Sequence, residues 1–385
     1  MPLPAPLALS LFYLTTFAVL GVYLPYFNLY LQEIGFTGLQ IGLISSLLPL
    51  SIAVVPALGG ILADRIGRRR ALVTLSCGLS LASFALVLVV HDFLFVTLAV
   101  GAFALLRAPA LPLVETTAME ISEAGGPHYG RMRAWGSAAF ILAALATGRA
   151  VGVWGTRSVP QAALGLMALN LVAALLLPGD GARRAAPPIS GLGALLIQRR
   201  VILFLLACVL STAAHGPYSV FYSIHLEAAG YRPQAIGLLW GVAVGCEVLA
   251  MLTMPPILKR FGTLPSMAVC LVLSALRWAI CALSLAPWAM AVAQALHAAS
   301  YAAFHVAALT HTHRLFGDER RASGQAIYGS AAYGVGNAVG MFLSGLLYER
   351  VGMPRLFAGA AATALAGALL LVAGARRELA ARRGL

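Results

Sequence analysis

Three ionisable side chains lie deep within long apolar stretches of this 385-residue chain: Glu247, Arg277 and His297. Read as helices over 234–258, 265–286 and 287–313, those stretches place them 13, 12 and 10 residues in. At about 1.5 Å per residue all three are roughly 15–20 Å deep. Ionisable groups at such depth are costly and face a bundle interior or an aqueous cavity. One acid, one base and one imidazole at matching depth can form a protonation switch. Burial and a nearby guanidinium act on a carboxyl in opposite directions, so movement of Arg277 would change the proton affinity of Glu247. The competing reading is a static Glu–Arg pair that fixes packing. His297, Tyr301 and His305 recur every four residues and so share one face of their helix.

The first half of the chain holds a second set. Arg107 falls mid-stretch between Leu106 and Pro109, with no acidic residue within a turn, and Pro109 and Pro112 would bend that helix and free carbonyls toward a cavity. Glu115 and Arg133 fall near the ends of two consecutive helices, where they could form a purely structural ion pair. Among ionisable residues in or at the edge of the spans, Arg107, Arg133 and Arg277 outnumber Glu115 and Glu247 by one. A surplus guanidinium in a low-dielectric site is best satisfied by an anion, and Arg binds carboxylates bidentately. The candidate substrate contacts are Tyr26, Asn28, Arg107 and Glu115, with Tyr218, Tyr222, Trp240, Trp278, Tyr301 and His305 supplying an aromatic wall. A small aromatic carboxylate is the leading ligand class, with a sugar or nucleoside next. Sugars need many amide and carboxylate acceptors, and these stretches contain few Asn or Gln.

The elements that would position these residues follow from composition. Hydrophobic residues make up 61% of the chain and charged ones 10%, and the mean hydropathy is +0.89. A soluble domain of this length has no use for so much apolar side chain, whereas a bilayer takes about 20 apolar residues per spanning helix. Continuous apolar runs also exclude a membrane barrel, whose strands alternate. Spans are predicted at 7–31, 38–63, 71–91, 93–119, 131–153, 161–177, 201–226, 234–258, 265–286, 287–313, 322–348 and 354–374. The net charge of +13 falls in short bursts between spans rather than on a nucleic-acid-binding face. Loops joining spans 2–3, 4–5, 6–7, 8–9 and 10–11, with the tail, carry 18 basic residues against five on the other side, which predicts both termini in the cytoplasm. No cleavable signal peptide is expected, because the first Arg is Arg65. The five cysteines fall inside apolar runs without paired spacing and read as small hydrophobes. His311 and His313 have poor metal-ligand spacing, and Asp318 to Arg321 reads as a solvated loop.

The chain also repeats itself. Leu31-Gln-Glu-Ile-Gly35-Phe36 recurs as Leu226-Glu-Ala-Ala-Gly230-Tyr231, and Asp64-Arg65-Ile-Gly67 as Lys259-Arg260-Phe-Gly262, both shifted by 195. Trp135-Gly-Ser-Ala-Ala-Phe140 recurs as Tyr328-Gly-Ser-Ala-Ala-Tyr333, shifted by 193. Three matches in order argue for a duplicated six-helix unit: residues 1–177, a cytoplasmic linker over 178–200, and residues 201–385 with a short basic tail.

Gly60-Ile-Leu-Ala-Asp64-Arg65-Ile-Gly67-Arg68-Arg69-Arg70 resembles the loop 2–3 signature of the major facilitator superfamily. Further stretches resemble its phenylpropionate permease-like branch, related to lactose permease. They are Tyr129-Gly-Arg-Met-Arg133-Ala-Trp135-Gly-Ser137, His215-Gly-Pro-Tyr218, Phe221-Tyr222-Ser223, Leu239-Trp240-Gly241 leading to Glu247, Leu276-Arg277-Trp278, Gln294-Ala-Leu-His297 and Phe304-His305. The resemblance spans nearly the whole chain. It implies an all-α major facilitator fold of 12 transmembrane helices in two pseudo-symmetric six-helix halves, and proton-coupled uptake by alternating access. Ligand would bind at the midplane between the halves, with Asp64, Arg65, Gly67, Arg68 and Arg133 at a cytoplasmic gate and Glu247, Arg277 and His297 in proton coupling. Glu115 and Arg133 resemble the acid and the Arg of that branch, which could pair as a gate or bind substrate. The expected setting is a monomer in a bacterial inner membrane, with the proton as coupling ion, no other cofactor and no nucleic acid. A proton-driven exporter of drugs or metabolites is the alternative within transport. A membrane enzyme or receptor is disfavoured, since no nucleotide loop, metal cluster or nucleophile–base constellation is present.

Overall fold

The computed structural model describes residues 3–179 and 192–382, without the side chains of 56–66, 192 and 375–382. Among the described residues every regular element is helical. Ten stretches are long and apolar enough to cross a bilayer. They are α1 (Ala5–Glu33), α2 (Gly38–Ile66), α3 (Arg69–Leu88), α4 (Phe93–Glu123), α5 (Tyr129–Trp154), α6 (Ser158–Leu175), α7 (Arg199–Ala228), α8 (Pro233–Phe261), α9 (Thr263–Leu283) and the long run Asp318–Gly374. That run turns at Gly352 (φ 74°) and holds two spans, α11 (321–351) and α12 (353–382). Between α9 and α11, α10 consists of Pro287–Ala298, a π-helical turn Ala299–Ala303, and Phe304–Phe316. Its interruption breaks the continuous run, and counting it gives the twelve expected helices.

The distribution of side chains is that of a protein solvated by lipid. Leu142, Leu252 and Leu369 are 67%, 72% and 69% exposed. Asn170, Arg277 and Gln294, by contrast, are each 1% exposed. Polar groups gather inside because hydrocarbon offers them no partner, while an outward leucine costs nothing there. All five cysteines are free, and all but Cys246 are buried.

The internal repeat reappears in the backbone. Among the described residues eight glycines have positive φ, and they fall into pairs: Gly35 with Gly230, Gly67 with Gly262, Gly125 with Gly317, and Gly155 with Gly352. In the first pair the closing hydrogen bonds are the same. Gly35 N–H donates to Gln32 O and Phe36 N–H to Leu31 O, at 3.0 and 3.1 Å; Gly230 donates to Glu227 O and Tyr231 to Leu226 O, at 2.9 and 3.0 Å. This is the Schellman ending, in which a glycine takes the left-handed conformation and an apolar residue follows. Leu-x-x-x-Gly-Phe and Leu-x-x-x-Gly-Tyr are therefore the same helix stop used twice.

The chain forms two compact units, Met1–Ala186 with Ser223–Gly241, and Pro187–Tyr222 with Val242–Leu385. In the first, α1 packs against α5 and α6, around a core that includes Phe12, Tyr13, Cys77, Val114 and Met132. The segment Ser223–Gly241 joins this unit through Tyr26, whose hydroxyl donates to Ala144 O and Pro233 O, both at 3.0 Å. Close approach here depends on glycine. A Cβ at Gly148 would stand 2.6 Å from Pro233 O, and one at Gly237 would stand 2.5 Å from Ala144 O. Backbone oxygens cannot swing aside, so Gly237→Ala is expected to cost about 1–3 kcal/mol by overpacking. It should unfold in detergent at lower temperature than Gly245→Ala, whose added methyl would meet nothing within 4 Å. Equal unfolding temperatures would show that this packing is slack.

The second unit has its core around Phe204, Met254, Met267, Leu271 and Phe304. In it the first part of α7 lies close against α11, where a Cβ on Gly340 would meet Ala213 Cα at 2.7 Å. Gly336 likewise leaves room for Thr212 and Val209 of α7, and α11 carries a π-helical stretch over Gly329–Gly336. Of the linker, residues 180–191 lie outside the described residues, while Arg199 and Arg200 already belong to α7. The side chains of the tail residues Arg376, Arg377 and Arg382, and Arg383 as a whole, also lie outside the described residues.

Candidate functional site

In the second unit the structure brings Glu247 of α8 against His297 of α10, with Oε1 and Nε2 2.8 Å apart. His297 is the penultimate residue before the π-helical turn. Its ring stacks on Tyr301 (centroids 5.3 Å, planes 12° apart) and lies 5.2 Å from Tyr218 and 5.9 Å from His215. Nδ1 of His297 and Nε2 of His215 are buried without a hydrogen-bond partner. His215 sits where α7 is interrupted, and its Nδ1 lies 2.8 Å from Ser211 O.

Arg277 does not join the carboxylate. Its Nε donates to Ala293 O (3.0 Å), Nη1 to Ser300 Oγ (3.2 Å) and Nη2 to Gln294 Oε1 (3.3 Å). The guanidinium also lies 4.3 Å from the Tyr218 ring centroid and 4.0 Å from that of Trp278. Five donors in a rigid plane suit this sandwich, which a lysine could not fill. The equal depths of Glu247, Arg277 and His297 are thus resolved into an acid–imidazole pair and a neighbouring cation held by neutral oxygens of α10. Gln294 and Ser300, which hold Arg277, were not among the expected site residues. Gln294 stands in the motif ending at His297, and nothing in its spacing marks it as a partner of Arg277.

The aromatic candidates divide. Tyr218 accepts from Gln294 Nε2 at 3.4 Å, and the Tyr222 hydroxyl reaches Met290 Sδ at 3.9 Å. Trp278 is fully buried between His215 and Phe357. Trp240 belongs to the first unit, where Nε1 donates to Ser223 Oγ at 3.0 Å. His305 Nδ1 lies 3.0 Å from the Tyr328 hydroxyl.

In the first unit Arg107 ends the first segment of α4 and is half-buried. It reaches Asn170 Oδ1 at 3.5 Å and Thr16 O at 3.4 Å, both at the outer limit for hydrogen bonds. Asn170 is well held, donating to Thr15 Oγ1 and Thr16 Oγ1 at 2.9 Å. A lone Asn in the middle of a span is the sequence signal that marks Asn170. Tyr26 is engaged in packing, as described above, and Asn28 Oδ1 accepts from Ser45 Oγ at 3.1 Å.

Glu115 and Arg133 share a cluster without forming an ion pair. The Tyr129 hydroxyl donates to Glu115 Oε1 at 3.3 Å, and Tyr13 meets Tyr129 edge-on at 6.4 Å. The Arg133 guanidinium lies 3.5 Å from the Phe17 ring centroid. Gly136 makes room for this, since a Cβ there would come within 2.7 Å of both Arg133 Nη1 and the Phe17 ring. Arg133 Nη1 and the Tyr13 hydroxyl are buried without partners. Of the expected gate, the side chains of Asp64 and Arg65 lie outside the described residues. Gly67 has φ 68° and Arg68 is exposed. The ion pair seen beside that loop is Arg69–Glu120, 2.8 Å, tying α3 to α4.

Comparison with known proteins bears on family and fold. The sequence matches the family described as MFS_1 like family over residues 7–358. It is 28% identical over 357 residues to the probable 3-phenylpropionic acid transporter of Escherichia coli (strain K12), covering 89% of this chain and 91% of that protein. It is 26% identical over 382 residues to the maltose permease of Geobacillus stearothermophilus, covering 96% and 94%. Among solved structures, the nucleoside transporter NupG superposes with a TM-score of 0.85 at 20% identity, covering 97% of this chain and 99% of that one.

Proposed function

The chain belongs to the MFS_1 like family of membrane transporters, and on that premise we propose that it takes up a small aromatic or other small carboxylate together with protons. The process is alternating access in a bacterial inner membrane, with both termini cytoplasmic. The observation that carries this reading is the 2.8 Å contact between the buried His297 and the partly buried Glu247. A carboxylate and an imidazole sharing one hydrogen bond hold an exchangeable proton, and Arg277 beside them makes its cost depend on local charge. With His297 neutral, Glu247 and Arg277 cancel; one more proton leaves a net positive charge. In a low-dielectric interior that charge is unfavourable. Loading an anion with the proton removes the imbalance, and this is a coupling free energy between the two ligands.

The substrate class rests on Arg107, whose contacts are long and to neutral acceptors only, and on similarity to a 3-phenylpropionic acid transporter. The competing sugar reading draws on similarity to a maltose permease. The test is ligand-dependent unfolding of the purified protein, followed by flux in proteoliposomes. 3-Phenylpropionate is expected to raise the unfolding temperature and, with acid outside, to accumulate inside while protons enter. Maltose and uridine are expected to do neither. Stabilisation by maltose or uridine alone would overturn the substrate class, and accumulation only with acid inside, as protons leave, would identify an exporter.

A further inference from the structure

Resting on the proton-coupled reading, we propose that His305 and Tyr328 carry the proton between the Glu247–His297 pair and the basic end of the second unit. The groups form a connected series. Tyr301 stacks on His297, and Tyr333 meets Tyr301 edge-on at 5.8 Å. Tyr333 in turn meets His305 at 5.3 Å and Tyr328 at 5.9 Å. His305 closes the series through its 3.0 Å contact with the Tyr328 hydroxyl. Eight residues separate His297 from His305, about 12 Å along a helix, and polar rings occupy that interval.

The backbone singles out the same place. Tyr301 lies inside the π-helical turn of α10, and Tyr333 inside that of α11. Such turns are rare and concentrate at functional sites, because the extra residue re-aims side chains at some cost in hydrogen bonding. Two of them meeting through their own tyrosines is difficult to account for by packing alone.

A histidine relays by accepting at one ring nitrogen and releasing from the other. With the Tyr328 oxygen at Nδ1, Nε2 of His305 is the nitrogen left to take the proton, passed from the Glu247–His297 pair through the hydroxyls of Tyr301 and Tyr333, each accepting one proton as it gives up its own. One proton then leaves Nδ1 for the Tyr328 oxygen, and the Tyr328 hydroxyl proton leaves to water at the basic end once Phe204 has moved aside, so each relay group ends with the number of protons it began with. The other titratable groups facing this path are Glu247 from α8, Tyr301 and Tyr333 from the two π-helical turns, and His215, Tyr218 and Cys208 from α7.

Beyond Tyr328 the series is interrupted by Phe204, which lies 6.4 Å from Tyr328 and 4.9 Å from His311. His311 Nδ1 lies 2.9 Å from Thr263 Oγ1 at the start of α9, just past Lys259 and Arg260. Charge asymmetry marks that end as cytoplasmic. Phe204 is therefore the barrier that keeps the wire from leaking until the unit changes shape.

The experiment compares wild type, Tyr328→Phe, His305→Gln and Phe204→Ser in proteoliposomes with a trapped pH dye, with 3-phenylpropionate as the probe substrate. Tyr328→Phe keeps the ring and should still exchange labelled substrate between equal pools at the wild-type rate. Its substrate-driven proton influx is expected to fall at least about tenfold, as removal of a proton-transfer group does elsewhere, and His305→Gln should fall likewise. Phe204→Ser is expected to admit protons without substrate. Wild type that moves no protons with substrate would defeat the underlying reading. Wild type that couples, with Tyr328→Phe and His305→Gln passing protons at the normal rate, would overturn the relay alone. Parallel loss of exchange and proton influx in Tyr328→Phe would also overturn it, by showing a structural role.

Discussion

Protein carrying Glu247→Gln is expected to equilibrate substrate across a proteoliposome membrane and never to accumulate it. Glutamine keeps the shape of the side chain, and its Oε1 can still accept from His297 Nε2 across the present 2.8 Å contact. The fold should therefore survive at a cost of about 1 kcal/mol, the net worth of one ordinary hydrogen bond. What the amide cannot do is lose a proton on one side of the membrane and regain it on the other. A carrier proton needs surroundings that differ between two conformations, and a group without a titrating proton is blind to that difference. Substrate exchange between equal pools should persist, and substrate-dependent proton influx should vanish. A static pair that only fixes packing predicts the opposite pattern. Breaking it would cost about 3–5 kcal/mol in stability, with coupling intact in the surviving protein. Proton influx at the normal ratio in folded Glu247→Gln protein would eliminate Glu247 as the carrier and make His297 the better candidate.

The second large effect is expected at Arg107. Its guanidinium is half-buried, with contacts of 3.5 Å to Asn170 and 3.4 Å to Thr16 O, and it makes no ion pair among the described residues. An incoming carboxylate can offer two charge-assisted bonds in place of these, each worth about 1.5–3 kcal/mol. Water recovers part of that on removal, so Arg107→Gln should weaken binding of a small carboxylate about 100-fold in Kd. Arg107→Lys keeps the charge but not the fork, and a loss of about tenfold is expected. The carboxamide analogue of the same ligand should bind both variants and wild type alike. Titration calorimetry at fixed pH and salt checks this. A best ligand that is neutral, with affinity unchanged in Arg107→Gln, would remove the anion-binding role.

Much of this protein was legible before any coordinates, and the reason is the solvent. A bilayer demands apolar stretches of near-constant length, so α1 to α9 lie where hydropathy puts them. Local chemistry carried further. Gly35 and Gly230 stop helices through bonds that reach back only a few residues, so the repeated Leu-x-x-x-Gly motif already contained the turn. Depth along a helix is equally local, and Glu247, Arg277 and His297 do lie in one region.

Which of them touch was not legible. Partnership depends on the rotation of each helix about its axis, set by packing that no single stretch contains. Glu247 could have faced Arg277 or His297 at the same depth. It faces His297, while Ala293, Gln294 and Ser300 of α10 each accept from one nitrogen of Arg277. The π-helical turns at Ala299–Ala303 and Gly329–Gly336 were invisible for the same reason. Their residues suit an ordinary helix equally well, and only contacts across to other helices repay the inserted residue. The sequence by itself determined the solvent, the number of helices, the duplicated plan and the depth of each ionisable group, because each follows from local composition. The tertiary structure alone decided that the acid pairs with imidazole, that the buried cation rests on neutral oxygens, and that Arg107 has no ionic partner among the described residues. Those outcomes depend on side chains far apart in sequence competing for the same few hydrogen-bonding atoms in a medium that offers no others.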